Sequence, residues 1–501
     1  MRIVIQERAR VEMGLAPQTK TPASPELESQ QINSIEPSQA ALSDKSSSMP
    51  VAQINKKPRL MDAARGVIAY KYNSTPGQHT VRWWKGRFWQ WDGKRYAPLD
   101  ADVLKAEVMQ CFDENDLDII PYHAKQIVDS ISAVTLLLPT IEPPCWVDGC
   151  VNSWDRLISL QNGMLDVDAY TAGQEETLIP HSPSYFSMNT LRHDFDPIST
   201  CPKWLDFLEE IFEGDSDIVD IIQEIFGYCL LPDTSLNKAF IFVGEGANGK
   251  TVVLRTLSRL VGRDNCSSVP LESFGQRFQM AQTLGKLVNL CEDVGELDRL
   301  AEGSIKMFTD GSEMTFEYKG KDTFSARPTA RLVIATNNLP RFSDKSEGIW
   351  RRLKVIPFDY RIPEHRQDTR YKEDHQKDWI FHDELPGIFI WALDGLQRLK
   401  RNKIFTEAKS CTNILNQYRL DCNPAKTFLT DNYKETLDTR ISVDVVYKKY
   451  KQFCDEGEYR KLSKSNFGKE VFRTFPRAEK VRAGTRGNRY NEYVGISDDL
   501  S

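Results

Sequence analysis

The spacing of apolar residues divides this chain into segments that predict different elements. Residues 1–65 carry no sustained apolar period; as far as about residue 60 there is no aromatic side chain, and stretches such as TKTPASPELESQQINSIEPSQ are rich in Ser, Pro and Gln. Such a segment buries too little apolar surface to offset the entropy of ordering, so a disordered tail is expected. From Tyr70 the pattern changes. VRWWKGRFWQWDGKRYAPL crowds Trp83, Trp84, Phe88, Trp89, Trp91 and Tyr96 between the turn signals KG and DG, which predicts short strands and hairpins. Helical periodicity runs from about Asp100 to Leu138, and an irregular stretch follows to about Thr200. DPISTCPKWLDFLEEIF, with Pro202 near its start, and DIVDIIQEIFGYCLL then predict two amphipathic helices.

After these the rhythm becomes continuous. AFIFVG is an unbroken apolar run, and KLVNLCED (286–293), ARLVIATNN (330–338) and LKVIPF (353–358) are three more. Strands buried on both faces read this way, and their alternation with helices predicts a mostly parallel sheet. TVVLRTLSRLVG predicts a helix stopped by Gly262, and a helix around Leu385–Lys400 closes this region. Beyond it, RISVDVVYKKYKQFCDEG, SKSNFGKEVFRTF and KVRAGTRGNRYNEYVGI predict helix, helix and hairpin. The expected domains are a tail at 1–65, an accessory domain at 66–199, a sheet domain at 200–405 and a small domain at 425–501.

Composition narrows the classes. The chain has 501 residues, a mean hydropathy of -0.47 and a net charge of -6, so affinity for nucleic acid must come from local basic patches. One such patch exists: residues 441–496 hold thirteen basic and seven acidic side chains, a local +6. Ten cysteines form no CxxC pair and no metal-spaced cluster, the nearest approach being Cys145 and Cys150, and reduced thiols are expected. The longest apolar stretch, Ile131–Ile141, is too short to cross a bilayer, and the start lacks a secretory pattern. An intracellular, cytoplasmic protein without a membrane partner is expected.

The chemistry centres on GEGANGKT. Gly244, Glu245, Gly246, Ala247, Asn248 and Gly249 would offer backbone N–H groups to phosphates at the start of a helix, Lys250 would reach the β- and γ-phosphates of ATP, and Thr251 would hold Mg²⁺. Glu292 and Asp293 end the strand LVNLCED, where carboxylates beside a phosphate loop can complete the Mg²⁺ shell and orient water. Asn337 and Asn338 end LVIATNN; an amide there could reach the γ-phosphate, although Asn pairs also form plain turns. Arg351 and Arg352 precede LKVIPF, either as a surface pair or as an arginine delivered to a neighbouring subunit's γ-phosphate.

In order and spacing these elements resemble the superfamily 3 helicases, and the text around them looks like the phage and plasmid primase-helicase branch that includes poxvirus-type enzymes. The likeness rests on LQNGMLDV, DFDPISTCPKWLDFL, IIQEIFGYCLLPDTSLNKAFIFVGEGANGKTVV, LVNLCEDV, IKMFTDGSEMTFEYKG, RLVIATNNLPRFSDKSEGIWRRLKVIPF and ELPGIFIWALDGL, and covers about residues 75–500. It implies an α/β fold: a P-loop, AAA+-like parallel-sheet ATPase core, an α+β N-terminal accessory domain and a C-terminal winged-helix-like domain. It also implies that Lys250 and Thr251 are the phosphate-loop pair, Glu292 the second-motif acid, Asn337 the sensor and Arg352 the arginine finger, with Arg351 as second choice. A hairpin within Lys306–Arg327, with Lys319, Gly320 and Lys321 at its tip, would grip DNA in a ring channel. The family usually has an acid after the glycine of this motif, whereas Ser312 follows Gly311 here.

The expected function is an ATP- and Mg²⁺-dependent DNA helicase, a hexamer travelling 3′ to 5′, replicating a virus, plasmid or mobile element beside a partner primase or polymerase. Priming itself is not expected, because only the tail lies upstream. Lys464 and Lys469, on the second C-terminal helix, and Arg477, Lys480, Arg482, Arg486 and Arg489, around the hairpin, would touch DNA. The aromatic cluster at 83–96 tempts a base-stacking role, but Trp-rich hairpins more often form a small core. Two alternatives remain open: an initiator or adaptor that uses ATP only to assemble, and a small-molecule phosphotransferase.

Overall fold

A computed structural model describes residues 59–498, apart from 76, 149–150, 153–155, 293–300, 341, 343–346, 368–370, 372–378, 458 and 486–487. Most of the expected tail, together with Asp293, Cys150 and Arg486, therefore lies outside the described residues. Helical order begins inside the expected tail: α1 covers Leu60–Lys71 and buries Ala64, Val67 and Ile68, the three- and four-residue spacing of one helix face.

The aromatic run forms a three-stranded antiparallel sheet, β1 (Val81–Trp84), β2 (Arg87–Trp91) and β3 (Tyr96–Leu99). Two helices follow. In α2 (Ala101–Asp113), Asp100 caps the first turn by accepting from the Asp102 N–H, and α3 (Pro121–Val134) opens with proline, whose missing N–H costs nothing there. Trp84, Phe88, Trp89 and Tyr96 are buried, and the Trp84 indole donates to the Ile141 carbonyl at 2.9 Å. These rings are core, as Trp-rich hairpins usually are; Trp83 and Trp91 are half-buried. Two small three-stranded antiparallel sheets lie between residues 145 and 186.

Helices α4 (Pro202–Ile211) and α5 (Ser216–Tyr228) lead into a five-stranded, wholly parallel sheet. Its strands are β4 (Ala239–Val243), β5 (Cys266–Ser267), β6 (Val288–Glu292), β9 (Arg331–Thr336) and β10 (Leu353–Pro357), in the spatial order β5-β6-β9-β4-β10. All five residues of β4 are buried, and each large apolar side chain removed from water contributes about 1.5–3 kcal/mol. That term, rather than surface ion pairs, holds the sheet together. Helix α6 (Lys250–Val261) ends at Gly262, whose φ of +86° no other residue type adopts readily. The excursion between β6 and β9 contains α7 (Glu302–Thr309) and an antiparallel hairpin, β7 (Met314–Glu317) and β8 (Thr323–Ala326). Helix α8 (Leu385–Asn402) crosses α5 closely: a Cβ at Gly227 would lie 2.4 Å from the Ala392 carbonyl oxygen, and one at Gly395 2.5 Å from that of Gln223.

A helix absent from the sequence reading, α9 (Lys409–Asp421), packs on β10 and leads to α10 (Pro424–Asn432). The C-terminal part has its own core, in which Phe428, Tyr450, Phe467 and Tyr493 meet. It contains β11 (Tyr433–Ser442), α11 (Val443–Glu456), α12 (Lys464–Thr474), β12 (Glu479–Thr485) and β13 (Asn488–Asp498). Its sheet runs β11-β13-β12, so the expected hairpin gains a third strand. The apolar spacing of RISVDVVYKKYKQFCDEG predicts a helix from its start; residues up to Ser442 are strand, and the helix starts at Val443. Three helices against a small antiparallel sheet make a winged-helix arrangement.

Candidate nucleotide site and nucleic-acid interfaces

Register in the parallel sheet brings three distant segments to one edge. Val243 of β4 lies opposite Thr336 of β9, and Ala335 of β9 lies opposite Glu292 of β6. The glycine loop, Glu292 and Asn337 thus leave neighbouring strands at the same carboxyl end, each strand about 4.8 Å from the next. Ligands of open α/β sheets bind at such edges.

The loop has the backbone an anion site requires. Gly246, Ala247 and Gly249 have φ of +111°, +50° and +88°, which turns successive N–H groups toward one side. Holding Ala247 there costs about 1–3 kcal/mol, and surrounding contacts offset it: the Ile362 N–H donates to the Ala247 carbonyl at 2.8 Å. Asn248, buried, donates to the Phe358 carbonyl at 2.9 Å. A Cβ at Gly244 would lie 2.2 Å from the Asn248 amide nitrogen and 2.4 Å from the Phe358 carbonyl oxygen, so only glycine fits. Lys250 is 7% exposed; its ammonium donates to the Gly244 carbonyl and, at 3.1 Å, to Asn248 Oδ1, folding back over the loop.

A cavity of about 190 Å³ at this edge is lined by residues 246–252, Glu292 and residues 335–337. The structure therefore gathers Gly246, Ala247, Asn248, Gly249, Lys250, Thr251, Glu292 and Asn337 around one space. Gly244 and Glu245 lie outside the lining, and the Asn338 carbonyl instead accepts from the Thr336 hydroxyl at 2.6 Å. The opposite wall, which the sequence does not foretell, is built from Phe207 and Glu210 of α4 and from Ile362, Arg366 and Tyr371 after β10. Arg366 pairs with Glu210 at 3.1 Å, and the Phe207 and Tyr371 rings lie 5.2 Å apart. No local motif marks these residues, because they meet only through the packing of α4 beside the loop. Thr251 and Glu292 are exposed oxygen donors on the cavity, a set suited to Mg²⁺, which takes one or two protein oxygens and keeps waters or phosphates. Among the described residues no group of three or more His, Cys, Asp or Glu could hold a metal by itself. Burial pushes the thiols of Cys201, Cys229 and Cys291 up to about 12, which removes them as nucleophiles or ready metal ligands.

The opposite edge of the sheet holds the two arginines, and they differ. Arg351 is exposed, whereas the Arg352 side chain is 8% exposed and closes on Asp310, Nε donating to Oδ1 at 2.7 Å. Its Nη1 also donates to the Gly348 carbonyl. Arg352, the first choice for a finger, is turned into its own subunit.

The hairpin turn carries Lys319, exposed, and Gly320 at φ +74°. Lys321 instead donates to the Gly86 carbonyl at 2.7 Å and lies 5.7 Å from the Trp83 ring centre, while Arg87 stands over Tyr318. At the C-terminus Lys464 is ion-paired with Asp444, and Lys469 is exposed on α12. Strand pairing sets Arg482 opposite Asn491 and Gly484 opposite Arg489. Arg482, Arg489 and Lys480 share the sheet face of Tyr493, whose ring meets Phe472 of α12. The cations of the wing therefore share the sheet face on which α12 packs.

The class that fold and site define is an α/β protein whose parallel-sheet core carries a glycine loop at its carboxyl edge, followed by a winged helix. Comparisons with known proteins cover these parts. Residues 423–499 match the RFX DNA-binding domain family, 65–213 match the family described as D5 N terminal like, and 242–352 match a family of unknown function, DUF5906. The chain is 24% identical over 384 residues to 121R of Invertebrate iridescent virus 3, named as a candidate helicase, covering 68% of this chain and 40% of that protein. It thus spans about two fifths of that relative's length. Its C-terminal region is 33% identical over 88 residues to the DNA-binding protein RFX7 of Xenopus laevis, 18% of this chain and 6% of that one. A solved structure of the NrS-1 C terminal region aligns with a TM-score of 0.48 at 12% identity, over 83% of this chain and 95% of that one. Among the described residues no helix is long and apolar enough to cross a membrane.

Proposed function

We propose that this chain is an ATP-dependent DNA motor, a helicase of the superfamily 3 type that unwinds duplex DNA in the replication of a virus, plasmid or mobile element. One observation carries the reading: the glycine loop, Glu292 and Asn337 line one cavity in a chain that ends in a winged helix. The loop N–H groups and Lys250 would hold the ATP phosphates, and Thr251 with Glu292 would hold Mg²⁺, which supplies charge neutralisation at the transferring phosphoryl group. Glu292, beside Asp293 in sequence, would accept the proton of the attacking water, and Asn337 would orient that water. Arg351, exposed at the far edge of the sheet, takes the finger role in place of Arg352, and a finger offered outward requires a ring, taken here as a hexamer. Lys319 and Lys321 of the hairpin would follow one DNA strand, while Lys464, Lys469, Arg482 and Arg486 would hold duplex. The accessory, motor and winged-helix units are taken as 66–199, 200–405 and 425–501. No priming role is assigned to these residues.

Forked DNA of each polarity tests this directly. Strand separation that needs ATP and Mg²⁺ and starts from a 3′ tail is the expected result. The separate core and shared basic side of the winged helix favour a second reading, an initiator or adaptor that assembles on DNA with ATP; assembly without strand separation at either polarity would establish it.

A further inference from the structure

The ion pair between buried Arg352 and partly exposed Asp310 has no role in the mechanism above. Asp310 is the first residue after α7; its N–H donates to the Lys306 carbonyl at 3.0 Å, and Gly311, at φ +61°, turns the chain toward β7 and the hairpin. A Cβ at Gly311 would lie 2.1 Å from the Thr234 hydroxyl, so this turn has little room to shift alone. The acid that the motif lacks after its glycine thus stands immediately before it, where it meets Arg352 through two parallel N–H···O contacts. Such a fork fixes orientation as well as distance, which a single lysine contact does not.

Arg352 is anchored on its other sides too. Its carbonyl accepts from the Ala239 N–H at 2.8 Å, at the start of the strand whose far end is the glycine loop. The Arg351 carbonyl accepts from the Lys238 ammonium at 2.5 Å. One short segment therefore joins three parts: the exposed Arg351, the base of the hairpin and the foot of β4. A buried ion pair is weak evidence for stability, since its desolvation offsets much of its attraction, but a two-pronged pair between two elements is a means of moving them together.

We propose that Arg352 is a positioning residue that, through Asp310, couples the finger segment to the DNA-gripping hairpin. This rests on the motor reading above. A shift of Arg351 on meeting a neighbour's nucleotide must carry Arg352 with it, one residue away, and the fork passes that shift to Asp310 and the hairpin base.

The test compares ATP hydrolysis without DNA and at saturating forked DNA, with melting temperature alongside, in the full chain. Asp310→Asn keeps the shape and removes the charge; we expect its DNA-free rate to stay within about twofold of wild type while stimulation by DNA falls about fivefold or more. Asp310→Glu should restore part of the stimulation. Arg352→Lys should lose stimulation similarly, and the double variant Asp310→Asn with Arg352→Lys should be no worse than the singles, as for two ends of one contact. Should Asp310→Asn fail to fold, Arg352→Lys with wild-type Asp310 decides by the same ratio. Wild-type stimulation in Asp310→Asn overturns the coupling; so does a parallel fall of both rates with melting temperature, which marks a merely structural pair. A wild-type chain with no DNA-stimulated hydrolysis sinks the motor reading itself.

Discussion

The two edges of the parallel sheet carry the same kinds of side chain and treat them differently. At the carboxyl edge the polar groups are held apart by backbone: positive-φ residues turn N–H groups toward the cavity, and Glu292 and Asn337 remain exposed beside it. At the amino edge the polar groups are held together: Arg352 and Asp310 neutralise one another, leaving Arg351 exposed. Parallel strands explain the difference. Their carboxyl ends open into loops that precede helix N-termini, where N–H groups lack partners and favour anions. At their amino ends the chain arrives from the other side, and charges there must find partners of their own. On the reading proposed above, one edge receives a nucleotide and the other transmits position.

Substitutions can break this comparison. The largest effect is expected for Lys250→Ala, which should lower hydrolysis by on the order of 10³-fold or more and weaken nucleotide binding as well. Retained DNA-stimulated hydrolysis in that variant would remove the carboxyl edge from the mechanism. Arg351→Ala should lower turnover by about 10³-fold with nucleotide affinity intact, and when doped into wild-type assemblies it should depress activity more than in proportion. A strictly proportional loss would mean that Arg351 serves no neighbour. Gly249→Ala sharpens the geometry: a side chain at φ +88°, with its Cβ 3.1 Å from the Phe207 ring, should cost about 1–2 kcal/mol in denaturant melts. An unchanged midpoint would show that the loop relaxes freely.

The smallest effect belongs to the amino edge, at Asp264 just before β5. Hydrogen bonding and charge from Arg192, with Arg95 adding to it, hold its carboxyl below the usual range, although all three side chains are partly exposed. A lowered carboxyl pKa adds stability above the unfolded-state value and loses it as pH falls through the folded one. Asp264→Asn should therefore cost less than about 1 kcal/mol at neutral pH, and the gap from wild type should close in acid. A gap that persists after protonation would point to packing instead of charge.

How much of this was legible in sequence follows from how local each feature is. GEGANGKT was readable because its glycines, lysine and threonine act within eight consecutive residues. The four buried strands were readable because strands covered on both faces must be apolar throughout. Strand β11 escaped because its exposed residues, Lys434, Glu435, Leu437 and Arg440, do not alternate and its pairing is irregular between Glu435 and Arg440. Phe207, Arg366 and Tyr371 escaped because they reach the cavity from elements more than 150 residues apart in the chain.

By itself the sequence determined the kinds of element, the parallel sheet and the loop that follows β4, since period, propensity and turn chemistry act over a few residues. Only the tertiary structure decided which strands are neighbours, and hence that Glu292 and Asn337 stand beside the loop. It also gave two adjacent arginines that are alike in sequence different surroundings, Arg351 exposed and Arg352 turned inward. Arg352 turns inward because Asp310 is there to neutralise it, and Asp310 is there because the end of α7 meets the residue before β10, a contact set by packing between positions 42 apart in the chain.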